Sequence, residues 1–423
     1  MKVIYDISPI GSDPSRRAGL ARVAESTAAR LYDRLGENVR FSATGSLWAT
    51  FQAEKVLARR NGWQSALNEV GRPARWVHEA ERACAHSSST SDGLLKYGAR
   101  AGKLLLAQVS RGLNVFRRPV NANALEQADL FHSSYARIPR QVRRALPGKH
   151  ILTVHDLTPL VLGEDYFSSD QIGITRRIID SVQADDWVIT VSQSTKNDLC
   201  ERRPIDPERV FVVPNAASED FFYPVSDKRR IQEVRAKYGI PEGKYLLSLH
   251  SMAPHKNVAR LVRSFRQLVR DEKLSDVYLV LAGGLGRPLK EICDDLTLTK
   301  DDLQRVHFTG FIEDKDLASV YSGAAAFLFP SLYEGFGLPV LEAMQCGCPV
   351  IASSAASIPE IASGAAILVD PYDEKQLAAA ILDVFELPNK RAEMAKQGTK
   401  EARKFSWSKR TIKILDIYNR LTP

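Results

Sequence analysis

The sequence predicts an α/β protein built from two Rossmann-like, doubly wound parallel-sheet domains that face each other across a cleft. Three observations predict it. The chain has 423 residues, almost three times a common domain length of ~150. Short β-branched runs alternate with longer helical patterns through both halves, the signature of parallel strands joined by crossover helices. Pro214-Asn215 and then Pro224 interrupt that alternation near the middle, where proline fixes φ and biases its predecessor away from helix. A composition of 44% hydrophobic and 26% charged residues is that of ordinary globular cores and excludes a disordered, collagenous or coiled-coil chain.

In the first half the expected strands are Val3–Ile7, Asp129–His132, His150–Val154, Trp187–Val191 and Val210–Val213. In the second they are Tyr245–Leu249, Val277–Ala282, Val306–Thr309, Ala325–Phe329, Val350–Ala352 and Ala366–Val369. The boundary falls near 220, giving domains 1–220 and 221–404, with a last helix at about 405–423 expected to pack back on the first domain. Open sheets bind ligands beyond the carboxyl ends of their strands, so the site belongs in the interdomain cleft. Residues 50–125 break the alternation: they are Arg-rich and helical in pattern, an elaboration on the first domain.

The formal charge of +8 is unevenly placed. Residues 51–150 hold 17 basic and 7 acidic side chains, whereas 151–225 hold 6 and 13. The basic stretch suits nucleic acid, an anionic membrane or a phosphate-bearing substrate. On a helical wheel over 94–118, Lys96, Arg100, Lys103, Arg111 and Arg118 share one face, against Leu94, Leu95, Leu105, Leu106, Val109, Leu113 and Phe116. Such a helix either packs on the first sheet or lies on an anionic membrane surface. Nucleic acid is not an expected partner, because the basic residues are not interleaved with aromatic platforms and no nucleic-acid module signature occurs. The five cysteines include no C-x-x-C pair, which argues against zinc and disulfides and fits a reducing cytoplasm. The start of the sequence has an acid where a signal peptide needs apolar residues, and uncharged runs such as 317–333 are interrupted by Ser, Gly and Pro, so no membrane span is expected.

The segment 330–349, P-S-L-Y-E-G-F-G-L-P-V-L-E-A-M-Q-C-G-C-P, parses as strand end, loop, short helix and stop. Pro339 suits a first helical turn and Gly347 a helix end, so a helix is expected over about 338–346. Gly335 and Gly337 just before it let a phosphate approach the open amides at the positive end of the dipole. Glu334 and Glu342 flank that start, and carboxylates bind sugar hydroxyls well because they accept two hydrogen bonds at once. Read alone, the spacing favours a structural role, with Glu334 as a loop cap and Glu342 as a helix-dipole complement.

Taken in full, E-x7-E within E-G-F-G-L-P-x-x-E-A-M resembles the signature of the retaining glycosyltransferases of family 4, which have the two-domain GT-B fold. Val154-His155-Asp156-Leu157-Thr158-Pro159, Val191-Ser192-Gln193-Ser194, Val213-Pro214-Asn215, Pro254-His255-Lys256-Asn257, Gly310-Phe311-Ile312 and Asp370-Pro371 follow in the family's order, so the resemblance covers the chain except about 40–125. It implies that Glu342 holds the nucleotide's ribose and Glu334 the donor sugar, with Glu334 catalytic without being a nucleophile. Lys256 would neutralise the leaving diphosphate without a metal, and His155 would contact the donor sugar as the second catalytic residue, while Asp156 orients its loop. Gly335, Gly337 and Leu338 would meet the diphosphate, Phe336 would shape the sugar pocket, and Phe311 and Ile312 would hold the base through their backbone. Gly19-Leu20-Ala21-Arg22 resembles the family's G-I-G-R loop, with Ala21 in place of the second glycine, and Asn215-Ala216 replaces an Asn-Gly. Ser251 stands at a donor-binding position where many relatives have arginine.

The resemblance further implies transfer of a hexose from a nucleoside-diphosphate sugar with retention of configuration and without a metal or other cofactor. GDP-mannose is the expected donor, because the P-x-K-N loop joined to E-G-F-G-L-P-V-L-E-A-M resembles bacterial mannosyltransferases. UDP- and dTDP-sugars, and a GT-B epimerase or phosphorylase, are the alternatives. The acceptor would be a glycan or a lipid-linked saccharide, with the protein in the cytoplasm, peripheral to the membrane's inner face.

Overall fold

The computed structural model describes residues 1–12, 19–68, 70–90, 118–249, 251–274, 276–284, 288–362 and 364–422, with single positions between 102 and 112. Two parallel sheets form the frame. The first runs β3-β2-β1-β4-β5-β6-β7, from β1 (Val3–Asp6), β2 (Val39–Ser42), β3 (Gln64–Ser65), β4 (Leu130–Ser133), β5 (His150–Val154), β6 (Trp187–Thr190) and β7 (Val210–Val212). The second runs β10-β9-β8-β11-β12-β13, from β8 (Lys244–Leu249), β9 (Val277–Ala282), β10 (Val306–Gly310), β11 (Ala326–Phe329), β12 (Val350–Ser353) and β13 (Ala366–Val369). This is the doubly wound α/β architecture that the alternation predicts.

The central strands are apolar because helices cover both faces. Every residue of β1, β4, β5, β11 and β12 is buried. The covering helices are one-sided: in the helix Val258–Arg270, Val258, Leu261, Val262, Phe265 and Leu268 form the buried stripe, while Arg263, Gln267 and Arg270 face solvent.

β2 and β3 were not expected from the sequence, since Arg40, Gln64 and Ser65 dilute any β-branched run. They pair in sequence onto the edge of β1. Helices Leu47–Ala58 and Arg72–Thr90 follow them into the Arg-rich region. Lys96, Arg100, Lys103 and Arg111 of the basic face lie outside the described residues; Arg118 is described and exposed.

Each sheet reverses its strand order once, between β1 and β4 in the first and between β8 and β11 in the second. The carboxyl ends at both switch points look into the gap between the sheets. The last helix, Trp407–Leu421, packs against Gly19–Leu35 of the first half and buries Ile414, Ile417, Tyr418 and Leu421 in its core.

Candidate active site

The site grows from three loops that follow β8, β11 and β5. After β8, a single turn at Pro254–Lys256 ends at Asn257, whose φ of 62° is left-handed and which starts the Val258–Arg270 helix. Asn257 is buried and donates from Nδ2 to the carbonyls of Pro330 (3.0 Å) and Pro371 (2.6 Å), tying this turn to the ends of β11 and β13. The P-H-K-N and D-P motifs, far apart in sequence, meet through this one side chain. Lys256 is thereby aimed inward: its Nζ lies 2.7 Å from Glu334 Oε1 and 5.9 Å from the centre of the Phe329 ring. Both partners are largely shielded, at 17% and 15% exposure. Ser251 lies exposed on the same loop.

After β11, the loop carrying Glu334 descends through Gly335 and Phe336 to Gly337, which takes φ +104° and opens the helix Leu338–Gln345. Ser357 donates to the carbonyls of both Glu334 (2.8 Å) and Phe336 (2.9 Å) and fixes the loop from below. The Phe336 ring sits in the hydrophobic core against Phe405, underneath the loop. Gly337 has no room for a side chain either, since a β-carbon there would stand 2.5 Å from Ile358 Cδ1. Glu342, one turn into the helix, is only 2% exposed. Its Oε1 accepts from Arg22 at 2.8 Å and its Oε2 from the Tyr321 hydroxyl at 3.2 Å. Burial pushes its pKa above the usual carboxylate range, and the Arg22 charge opposes that rise.

After β5, His155 donates through Nε2 to the Ser134 carbonyl (3.0 Å) and meets the Tyr135 ring edge-on. A ring nitrogen that bonds a carbonyl must carry the proton, which leaves the lone pair on Nδ1. Burial, reinforced by the Arg410 charge, pushes the His155 pKa down to about 3, so the imidazole is neutral at physiological pH. Asp156 accepts from the Thr158 amide two residues on (3.1 Å), a local turn that orients the loop just before the short helix Thr158–Leu162.

These loops close against one another. The Gly335 carbonyl accepts from Ser192 Oγ (2.7 Å) and Thr195 Oγ1 (3.2 Å) of the V-S-Q-S turn. Glu360 returns the favour, accepting from the Gln193 and Ser194 amides at 2.7 and 2.8 Å, where a carboxylate meets a helix start. Tyr333 donates to Asp198, and His255 stacks on Phe167 with ring centres 4.8 Å apart. Lys256 meets Glu334, Gly335 lies against the His155 carbonyl, Leu338 stands beside Gly19, and Glu342 meets Arg22, so residues of both halves of the chain converge on the loop and helix start at 334–342. Phe311 and Ile312 sit farther along, after β10: Phe311 is exposed and Ile312 is in the core.

Sequence reasoning missed Arg22, Tyr321, Ser192 and Glu360 as members of this site. Ser192 and Arg22 lie inside recognised motifs, but nothing local says that they reach residues 143 and 320 positions away. Among the described residues no group of three or more His, Cys, Asp or Glu side chains is placed to hold a metal ion, and no helix is long and apolar enough to cross a membrane.

Comparison with known proteins bears on the family and the fold. A family model described as glycosyl transferases group 1 matches residues 230–401, and one described as Glycosyltransferase Family 4 matches residues 101–221. Among curated relatives, the serotype-specific mannosyltransferase WbdA of Escherichia coli is 28% identical over 282 residues, covering 65% of this chain but 34% of WbdA, so the match spans about a third of that relative's length. O-antigen chain mannosyltransferase B of Escherichia coli is 27% identical over 293 residues, covering 69% of this chain and 74% of the relative. Among solved structures, sucrose-phosphate synthase from Thermosynechococcus elongatus superposes with a TM-score of 0.65 over 100% of this chain and 99% of its own, at 20% identity. Anabaena HepE in complex with UDP and glucose does so with a TM-score of 0.64 over 99% and 100%, at 15% identity, a likeness of fold. With the two sheets, the E-x7-E loop and helix, and both halves matched in order, the chain carries a glycosyl transferases group 1 domain and a Glycosyltransferase Family 4 domain on a GT-B fold.

Proposed function

We propose that the protein is a retaining, metal-independent glycosyltransferase that moves a hexose, mannose from GDP-mannose before other donors, onto a glycan or lipid-linked saccharide. One observation carries the reading: a shielded ammonium, Lys256, stands 2.7 Å from Glu334 at the mouth of a helix start, where a diphosphate leaving group needs a cation. In this reading Glu342 receives the ribose diol, and Gly335, Gly337 and Leu338 pass the diphosphate along the helix start. Glu334 holds the donor sugar, and neutral His155 lines the opposite wall.

The reaction breaks the bond between the anomeric carbon and the diphosphate oxygen and forms one to the acceptor oxygen on the same face of the sugar. The acceptor's hydroxyl proton passes to the departing diphosphate, whose added charge Lys256 offsets. Neutral His155 adds no competing charge there.

The mannose preference rests on relatives that are named mannosyltransferases. A UDP-sugar is the second reading, favoured by the UDP complex of a protein of the same fold. Association with an anionic membrane through Lys96, Arg100, Lys103, Arg111 and Arg118 belongs to the first reading; flotation that survives Lys96→Glu, Arg100→Glu and Arg111→Glu together would remove it.

The deciding experiment offers GDP-mannose, UDP-glucose and dTDP-glucose separately, with EDTA, to mannoside and lipid-linked saccharide acceptors, and reads the new anomeric configuration by NMR. Transfer from GDP-mannose with retention is expected. An inverted product would sink the retaining reading, and activity only after metal addition would sink metal independence.

A further inference from the structure

Arg22, in the first turn of the Gly19–Leu35 helix, reaches from the first half of the chain into the second. It donates to Glu342 at 2.8 Å, stands 3.7 Å from Asp314, and lies over the Phe222 ring at 5.9 Å. With Tyr321 on the other oxygen, the Glu342 carboxylate is already engaged at both ends. On the proposed reading that carboxylate must also receive a ribose, and at 2% exposure it can be reached only if a side chain that covers it moves aside. Tyr321 is fully buried, whereas the Arg22 side chain keeps 28% exposure and four rotatable bonds, so Arg22 is the partner able to move.

Charge decides where it moves. A nucleoside diphosphate brings at least two negative charges to Gly335–Leu338, and Lys256 beside that turn is already matched by Glu334. Arg22 belongs to a helix that starts beside the same place: a β-carbon at Gly19 would lie 3.3 Å from Leu338 Cδ1. A guanidinium that leaves Glu342 keeps only the longer contact to the half-exposed Asp314 at 3.7 Å, and a diphosphate offers it a stronger, forked partner. We propose that Arg22 is a diphosphate-binding residue, which exchanges Glu342 for the donor's phosphates as the ribose takes over the carboxylate. The inference rests on the nucleotide-sugar reading. It makes the first half of the chain a direct contributor to donor affinity, and a fork of guanidinium N–H donors fits phosphate oxygens better than a point charge does.

The test compares GDP with guanosine, titrated by NMR against the full chain and against Arg22→Met and Arg22→Lys. Removing a mere competitor for Glu342 would strengthen both ligands equally, whereas removing a phosphate contact weakens GDP selectively. The preference for GDP over guanosine is expected to fall about tenfold or more in Arg22→Met, and to recover in part in Arg22→Lys. An unchanged preference in Arg22→Met, with thermal melting showing the fold intact, overturns the proposal. Failure of the unaltered protein to bind GDP, UDP, dTDP or ADP instead overturns the nucleotide-sugar reading beneath it.

Discussion

Gly335 lies directly against His155: a β-carbon on the glycine would stand 2.1 Å from the histidine's carbonyl oxygen and 2.5 Å from Asp156 Cβ. The donor-side loop and the β5 loop therefore touch backbone to backbone, with no side chain between them. Because the obstacle is main chain, it cannot swing aside. Gly335→Ala should hold the two halves apart while leaving each sheet intact. Turnover is expected to drop about 10²-fold, as for a misplacement of the order of 1 Å, with little change in melting temperature. Wild-type turnover in Gly335→Ala would show that this closed contact is not the reactive arrangement.

Lys256 and Glu334 make separable predictions. Lys256→Met removes the cation but keeps much of the side chain's bulk, and the carboxylate, 15% exposed, regains some solvation through water. Turnover should fall about 10²- to 10³-fold, the usual cost of deleting one preorganised charge partner, while stability changes by no more than about 1 kcal/mol. Steady-state kinetics with the preferred donor, alongside thermal melting, separates the two effects.

Asn257 places that lysine. Its left-handed φ of 62° is one that asparagine tolerates and glycine adopts freely, so Asn257→Gly keeps the backbone and deletes the bonds to Pro330 and Pro371, together with the one that Oδ1 accepts from Arg260. Two buried carbonyls lose a donor, at about 1–3 kcal/mol in all. Asn257→Ala adds about 1 kcal/mol of backbone strain. The expected order of melting temperatures is Asn, then Gly, then Ala. Equal melting of all three would mean that the side chain holds nothing together.

Three histidines set a pH dependence. Burial pushes His132 and His155 down to about 3 and His255 to about 4, against about 6.5 in an unfolded chain. Below pH 6.5 the unfolded state then binds protons that the folded state refuses, so stability is full above that pH and is lost as pH falls toward 4 and 3. Denaturant midpoints should be lower at pH 5 than at pH 7.5, and His255→Gln should reduce the difference. Activity should show no inflection near pH 6.5 from His155, because that ring is already neutral there. A flat stability profile between pH 7.5 and 5 would contradict these depressed values.

What the sequence made legible follows from the range of each interaction. β5, β11 and β12 are buried throughout and read as short runs rich in apolar and β-branched residues, and the turn residues Gly337 and Asn257 announce themselves by type. β2 and β3 hide because β3 is the edge strand and β2 lies next to it, where Arg40 and Gln64 are tolerated. Arg22 and Glu360 hide for another reason: each is an ordinary helix residue whose partner lies in the other half of the chain, and no local pattern encodes an interdomain contact. Phe336 reads from the sequence equally as a pocket or a core residue, because a turn aromatic looks alike in both cases; the structure packs its ring into the core.

Arg410 shows the same limit at the hinge. It is 4% exposed in the final helix, and its guanidinium donates to the carbonyls of Val213 (2.6 Å) and Pro214 (3.0 Å), where the chain leaves the first sheet. Burial lowers its pKa to about 10, well above physiological pH, so it stays charged. The returning helix thus grips the linker through one side chain. Arg410→Met leaves both carbonyls without that donor and should cost about 2–4 kcal/mol, a fall of several degrees in melting temperature. The freed linker should also widen the distribution of domain orientations in small-angle scattering, and should lower turnover more than nucleotide affinity. Arg410→Lys, which keeps a donor but not the fork, should fall between the two. Melting and scattering unchanged in Arg410→Met would mean that the linker's path is fixed by Pro214 and Pro224 alone.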